Sequence, residues 1–501
     1  MDETEVSQFG AVFQEFLERV VHTARSGPDG TESLIARVES FLESDPLALP
    51  VVTEHFRAFE HATVQVALDH LLVRPGVRHE LVGVAGGGRE HHALTELLEA
   101  SRRHGTFWVG AVDYAAVPVS VDDERTCVRF GLYLVDDGRQ RLALLLRGGN
   151  PSHGQVPSIE VLARTAEDGR AWLAGLRDER AARNALRGQV LSFEPSEFEP
   201  GVGPIRFHRR PELDRADVVL PDGVVERIER QVVGVARHRE RLLAEGRHLK
   251  RGVLFYGPPG TGKTHTVRYL TGALRDFTVI LLAGPAIRFV AEACAMARTL
   301  QPSLVVLEDC DLVAEDRSYT PFGNPLLFTV LDEMDGLSSD VDVCFLLTTN
   351  RADLIETALA QRPGRVDLAV EIPLPDADGR RRLLDLYGRG IELTAADIEQ
   401  VVELTAGVPA SFIKEMTRRA TLIAAERGAA LTEAEDVHAA ADELMAAQEV
   451  LTRRLLGTEP RDAGRGDAEP AGDEGGVGTV AGRGWFAYAP RSHARLMART
   501  E

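Results

Sequence analysis

The sequence predicts an α/β fold: a parallel sheet built around a phosphate-binding loop, preceded by an α+β region and followed by a helical segment. Three observations carry this. From residue 214 to about 375, strand and helix patterns alternate, as in a parallel sheet with helical crossovers. Inside that stretch, "GVLFYGPPGTGKTHT" (252–266) reads as an apolar strand, a glycine-rich turn and a helix start. From 376 to 456 only helical patterns remain, and "TEAE" (432–435) places Thr432 and Glu435 at capping-box spacing before the last of them.

The region ahead of the sheet, 1–195, reads as a separate α+β domain. Amphipathic helices are expected near 5–25 and 31–44, and strands at "TFWVGAV" (106–112), "TCVRFGLYLV" (126–135) and "RLALLLR" (141–147). The last two flank "DDGRQ", where Gly138 tolerates positive φ, so a hairpin is predicted. Residues 196–213, rich in proline and weak in periodicity, are taken as a linker. The tail, 457–501, is rich in Gly, Asp, Glu and Pro and is expected to be disordered, with an aromatic "GWFAYAP" that is either a docking motif or a sticky end.

Composition narrows the function classes. Among 501 residues, 44% are hydrophobic and 27% charged, as in soluble globular proteins. No run of about 18 uncharged apolar residues occurs, so no membrane span is expected. The acidic start lacks the basic and apolar regions of a secretion signal. Cys127, Cys294, Cys310 and Cys344 have neither metal-ligand spacing nor a paired framework, which fits a reducing cytoplasm. The adjacent His91 and His92 have no companion ligands and read as loop residues. A net charge of -20 argues against a nucleic-acid partner, whose phosphates need Lys and Arg.

The phosphate loop is the most specific motif. Gly257, Gly262, Lys263 and Thr264 satisfy G-x-x-x-x-G-K-[ST], with Pro258, Pro259, Gly260 and Thr261 between them and His265 after. Glycines let the backbone close around a phosphate so that successive N–H groups and the helix start point at the anion. In such loops Lys263 would reach the β- and γ-phosphates of ATP, and Thr264 would place its hydroxyl on Mg2+. Downstream, "LVVLEDCDLV" (304–313) is a buried strand ending in adjacent carboxylates. "FLLTTNRADL" (345–354) is another, ending in Thr349 and Asn350. "LLFTVLDEMDGL" (326–337) is an amphipathic helix, and "ALAQRPGRVDL" (358–368) carries Arg362 and Arg365 three apart.

This ordered set resembles the AAA+ ATPases, in the AAA subgroup with the second region of homology, over about 214–455. The resemblance implies a P-loop NTPase module with a helical lid over 376–456. It makes Asn350 the first sensor, polarising the attacking water. Arg362 and Arg365 become arginine fingers acting on the nucleotide of a neighbouring subunit, worth about 10³–10⁵ in rate where such fingers act. The active form is then a homo-oligomeric ring, most often of six subunits. Asp335-Gly336 resembles an intersubunit signalling turn, or is simply the end of a helix. Gly407 and Ala410 match the start of the lid helix beside the adenine, and the backbone of Asp217 and Val218 matches the adenine contact on the other side.

One departure bears on the chemistry. The family has Asp-Glu-x-Asp after its second acidic strand, whereas this chain has Glu308-Asp309-Cys310-Asp311. Asp311 sets the register, giving Glu308 the metal side and Asp309 the catalytic position. A slip of one residue would instead put Asp309 on the metal and Cys310 at the catalytic position. Asp309 is shorter than glutamate by one C–C bond, about 1.5 Å, so the expectation is an active, slow ATPase. A nucleotide-gated scaffold with little hydrolysis is the alternative. The family's aromatic pore loop is also reduced: Phe289-Val290 stands in its place without a glycine, as a remnant or as a core aromatic. Tyr319 and Phe322 could supply a second pore aromatic. The expected work is remodelling or disassembly of a protein target gripped by the N-terminal domain, in the cytoplasm.

Overall fold

The structure, a computed structural model, describes residues 31–149, 156–195, 202–310, 332–333, 341–351 and 366–455. The predicted helix at 5–25, Asp311, Tyr319, Phe322, Asp335, Gly336, Arg362, Arg365 and the tail 457–501 lie outside the described residues. The chain forms two compact units, one of residues 1–210, 276–280 and 292–303, the other of the remainder.

In the first unit, strands β1 (Val51–His55), β2 (Arg78–Ala85), β3 (Trp108–Gly110), β4 (Asp113–Pro118), β5 (Glu124–Asp136), β6 (Arg141–Arg147) and β7 (Ser158–Leu162) form one sheet. Its order is β1-β7-β6-β5-β2-β3, with β4 also on β5, and the pairings are antiparallel. The β5–β6 hairpin turns through Gly138 at φ +81°, as predicted from the Asp137-Gly138 pair. The run "RLALLLR" lacks polar alternation because both faces are covered. Leu142, Leu144 and Leu146 pack with Leu68 and Leu71 of α2 (His61–Leu72) and Leu173 and Leu176 of α4 (Ala166–Ala182). Ala143 and Leu145 face the opposite way, with Leu34 and Val38 of α1 (Leu34–Leu42) and Leu94, Leu97 and Leu98 of α3 (Leu94–His104). The result is a helix–sheet–helix sandwich, in which each buried Leu contributes roughly 1.5–3 kcal/mol.

The linker expected at 196–213 is corrected. β8 (Val190–Pro195) and β9 (Val202–His208) form an antiparallel hairpin. β8 lies beside β11 (Thr278–Ala283), where the Val279 N–H donates to the Gln189 carbonyl at 2.9 Å. The prolines misled because Pro195 ends β8 and Pro204 lies in β9, the edge strand of the sheet, where a missing N–H is tolerated, and Val190, Leu191 and Phe193 are buried. The hairpin also holds a titratable histidine, with His208 Nε2 hydrogen-bonded to the Ser192 hydroxyl at 2.8 Å. Burial first, then the charge of Arg206, pushes His208 down to about 4.

The second sheet has the order β14-β10-β13-β12-β11-β8-β9, completed by β10 (Arg251–Tyr256), β12 (Ser303–Glu308), β13 (Val343–Thr349) and β14 (Leu368–Glu371). β10 runs parallel to both β13 and β14, with Tyr256 opposite Thr349 and Glu371. At the other end of these strands, Arg251 and Asp342 form a buried ion pair at 2.9 Å, and Arg251 also donates to the Leu249 and Val232 carbonyls. The pair ties the start of β10 to the residue before β13 and so holds their parallel register.

After β14 come α7 (Ala377–Tyr387), α8 (Ala395–Leu404), α9 (Ala410–Glu426) and α10 (Ala434–Leu455), around a core of Leu384, Val401, Ile413, Met416 and Val437. The expected capping box is shifted by one residue. Thr432 pairs with Ile391 in a two-residue bridge, and the Glu433 N–H donates instead to the Asp436 carboxylate at 2.9 Å. Among the described residues, no helix is long and apolar enough to cross a membrane.

Two outcomes are expected. Asp342→Ala leaves Arg251 charged and buried, and should cost about 3–5 kcal/mol in denaturant melts of the nucleotide-free protein, much of it recovered by adding Arg251→Met. For His208, the unfolded chain takes up a proton below pH 6.5 that the folded one refuses down to about 4. Stability should therefore fall as pH drops from about 6.5 to about 4, less steeply in His208→Gln.

Candidate nucleotide-binding site

The carboxyl ends of β10, β13 and β12 lie side by side, the edge where parallel α/β sheets take their ligands. β10 runs into the loop at Gly257, and α5 (Lys263–Ala273) begins after Gly262. Gly257 has φ +139°, and a Cβ there would stand 2.3 Å from the Ile372 carbonyl oxygen. Gly260 has φ +76°, and a Cβ there would meet the Ser411 hydroxyl at 2.2 Å. These glycines are required by their conformation and by close neighbours together.

Within the loop, the Pro258 carbonyl accepts from the Thr261 hydroxyl at 2.9 Å. Lys263 is buried, and its ammonium donates to the Gly257 and Pro258 carbonyls, each at 2.8 Å. The cation is thus held at the mouth of the loop by neutral acceptors that a phosphate would outcompete.

The acidic strand end is arranged asymmetrically. The Thr264 hydroxyl hydrogen-bonds the Glu308 carboxylate. Burial first, then the neighbouring Asp309 charge, pushes Glu308 up to about 7, while Thr264 and Arg268 pull it back. Its Oε1 is buried without a hydrogen-bond partner. An orphaned carboxylate oxygen beside a hydroxyl suits Mg2+, which prefers oxygen ligands and retains water. Glu308 and Thr264 are therefore the residues that would hold it. Asp309 adopts φ +52°, and its N–H donates to the Thr348 hydroxyl of β13 at 3.0 Å. A left-handed backbone at a residue with a Cβ costs roughly 1–2 kcal/mol, least for Asp and Asn. Asn350 is half-buried just beyond the end of β13.

Two further segments close on the loop. The His265 ring bonds the Asp217 carbonyl at 2.9 Å, beside the buried Val218, and burial holds His265 below its ordinary value. Asp217 and Val218 are thereby attached to the helix that follows the phosphate loop. On the other side, Gly407 turns at φ +79° and Ala410 opens α9, where the Ser411 N–H donates to the Gly260 carbonyl at 3.0 Å. Sequence reasoning missed Ser411 and Thr348. Ser411 followed a matched position without belonging to a motif, and Thr348 resembled one more residue of a buried strand.

Phe289 is buried in the core of its unit. It is 5% exposed, inside a short 3₁₀ turn (Gly284–Phe289), with the Arg288 guanidinium 4.7 Å from its ring centre, and Val290 is fully buried. The reduced pore loop is thus a pair of core residues.

Comparison with known proteins agrees with this architecture. Residues 253–374 match the family described as "ATPase family associated with various cellular activities (AAA)". A proteasome-activating nucleotidase of Thermococcus kodakarensis is 25% identical over 57% of this chain and 75% of its own length. The corresponding protein of Methanothermobacter thermautotrophicus is 29% identical over 49% of this chain and 64% of its own. A 26S protease regulatory subunit 6A of Caenorhabditis elegans is 27% identical over 48% and 59%. Residues 253–374 thus carry an AAA-type ATPase module, of the enzyme class that hydrolyses ATP.

Gly257→Ala should destabilise the protein by more than the roughly 1–2 kcal/mol of a left-handed alanine alone, and should abolish binding of an ATP analogue by calorimetry. Gly223→Ala, at φ +76° with open space around it, is the control that should pay only the conformational cost and still bind.

Proposed function

We propose that this chain assembles into a ring, of six subunits as in its family, and hydrolyses Mg-ATP to remodel or disassemble a protein target held by its N-terminal unit. The observation that carries the chemistry is the division of labour at the end of β12. Glu308 is the carboxylate that Thr264 reaches, and Asp309 is turned aside by its left-handed backbone and tied to Thr348. That supports Glu308 as the metal-side ligand and Asp309 as the proton acceptor, with the carboxylates in exchanged order. Strain at a residue placed to react points to function.

Gly257, Pro258, Pro259, Gly260, Thr261 and Gly262 would wrap the phosphates with backbone N–H groups, and Lys263 would leave its two carbonyls for the β- and γ-phosphates. Mg2+ held by Glu308 and Thr264 would supply charge neutralisation for the phosphoryl transfer. Asp309 accepts the proton of the water attacking the γ-phosphorus. As the new P–O bond forms, the bond to the β–γ bridging oxygen breaks and ADP departs with the electron pair. Asn350 orients that water, and Arg362 and Arg365 of a neighbouring subunit stabilise the charge on the phosphoryl group. Asp217, Val218, His265, Gly407 and Ala410 frame the adenine. Helices α7–α10 act as the lid, sensing the phosphate loop through the Ser411-to-Gly260 hydrogen bond. The similarity to relatives named as proteasome-activating supports a protein target, and the burial of Phe289 and Val290 argues against threading by that segment.

Steady-state ATPase per subunit should rise with protein concentration as rings form, and fall by about 10²–10⁴ in Asp309→Asn. Thr348→Val strands the Asp309 N–H and should lower kcat roughly tenfold with KM little changed, while Thr348→Ser restores it. A near-zero rate, equal to that of Asp309→Asn, with ATP still bound, would leave the nucleotide-gated scaffold.

A further inference from the structure

Residues 214–220 run as a strap between α5 and the helices that follow β14. The first half of the strap closes on itself. The Asp214 N–H donates to the Asp217 carboxylate at 2.9 Å, and the Asp217 and Val218 N–H groups donate to the Asp214 and Arg215 carbonyls at 3.0 and 3.3 Å. The second half is held by its surroundings. Val218 and Leu220 are buried, and Val219 packs against the lid core that includes Leu384 and Ile413.

Two side chains tether this second half at its ends. The His265 ring of α5 bonds the Asp217 carbonyl at 2.9 Å, and the Arg382 guanidinium of α7 donates to the Leu220 carbonyl at 2.7 Å. Hydrogen bonds from a charged donor are among the stronger ones. Arg382 Nε also lies 3.6 Å from the Asp378 carboxylate, one turn back on the same helix. Its neighbour Arg380 does different work: it is buried and donates to the Pro375 and Val402 carbonyls, tying α7 into the lid itself.

Between the tethers, the Val218 carbonyl and the Val219 N–H make no hydrogen bond among the described residues. A carbonyl beside an N–H matches a base edge that offers a donor beside an acceptor. Adenine has that order at N6 and N1, whereas guanine reverses it with O6 and N1–H. Such discrimination requires the two backbone groups to keep their direction, since a hydrogen bond weakens steeply when misaligned.

We propose that Arg382 is a positioning residue for base selection. Through the Leu220 carbonyl it fixes the backbone at Val218 and Val219, so that the site takes adenine in preference to guanine nucleotides. Because Arg382 belongs to α7, the same bond makes base selection depend on the placement of that lid helix. The adenine contact rests on the function proposed above, and hydrolysis is not needed for the selection.

The test is calorimetric titration of the full chain with the β,γ-imido analogues of ATP and GTP, which report binding alone. The unaltered chain should prefer the adenine analogue. Arg382→Met should weaken that analogue roughly tenfold and leave the guanine analogue unchanged, so the preference falls by the same factor. Arg382→Lys, which keeps a cationic donor, should recover most of it. Without nucleotide, hydrogen exchange at the Val219 and Leu220 amides should quicken in Arg382→Met. Equal weakening of both analogues would mark a merely structural role, because they share the triphosphate, and overturns the proposal. Unchanged exchange also overturns it, since the strap would then be fixed without Arg382. A preference that Arg382→Met leaves intact defeats this inference alone. Equal binding of the two analogues by the unaltered chain defeats the adenine contact and takes the inference with it.

Discussion

A sheet covered on both faces can show polar side chains only where its strands end, and the candidate nucleotide site follows from that constraint. β10 and β12 are buried at every position but their last, and β13 is buried throughout. Any carboxylate, hydroxyl or amide within them would have to pair or be desolvated at a cost of several kcal/mol. Chemistry is thereby driven to the carboxyl edge, where Gly257, Glu308, Asp309 and Asn350 follow the last apolar residues. The opposite edge carries the buried Arg251–Asp342 pair, which aligns β10 with β13. Register at one end thus sets which side chains meet at the other, since a slip of one residue would turn each side chain to the opposite face.

The exchange of carboxylates is intelligible in the same terms. The last strand residue reaches the first turn of α5, and that residue is Glu308, which the Thr264 hydroxyl contacts. The next residue is past the ladder and free to depart from β geometry. Asp309 does so, at φ +52°, with its N–H satisfied by Thr348 on the neighbouring strand. Aspartate tolerates that conformation better than glutamate, because its short polar side chain can bond locally. A shorter side chain and a turned backbone occur together at one residue, which is why the departure from the family order reads as a coherent alternative.

The first unit solves the two-face problem with antiparallel strands. Successive leucines of β6 are shared between two helical layers, so the strand loses the alternation that marks a half-exposed one. One carboxylate is buried there with full compensation: Glu160 accepts the Leu94 N–H at the start of α3 and pairs with Arg147. Helix N-termini favour such a charge.

What the sequence determined by itself was local or strictly spaced. The phosphate loop, the strand–helix alternation, the Asp137-Gly138 hairpin and the closing helices all rest on neighbours within a few residues, whose propensities and spacing act without distant partners. The tertiary structure decided the rest. Pairing turned 202–208, within the expected linker 196–213, into a strand, because the edge of β8 satisfies backbone groups that no local pattern reveals. Packing buried Phe289, and the bridge from Thr432 to Ile391 moved a helix cap by one residue. Thr348 and Ser411 gained their roles only when separate segments met, through single hydrogen bonds to Asp309 and Gly260. A hydrogen bond between residues far apart in the chain leaves no periodicity and no spacing, so only the folded arrangement could disclose it.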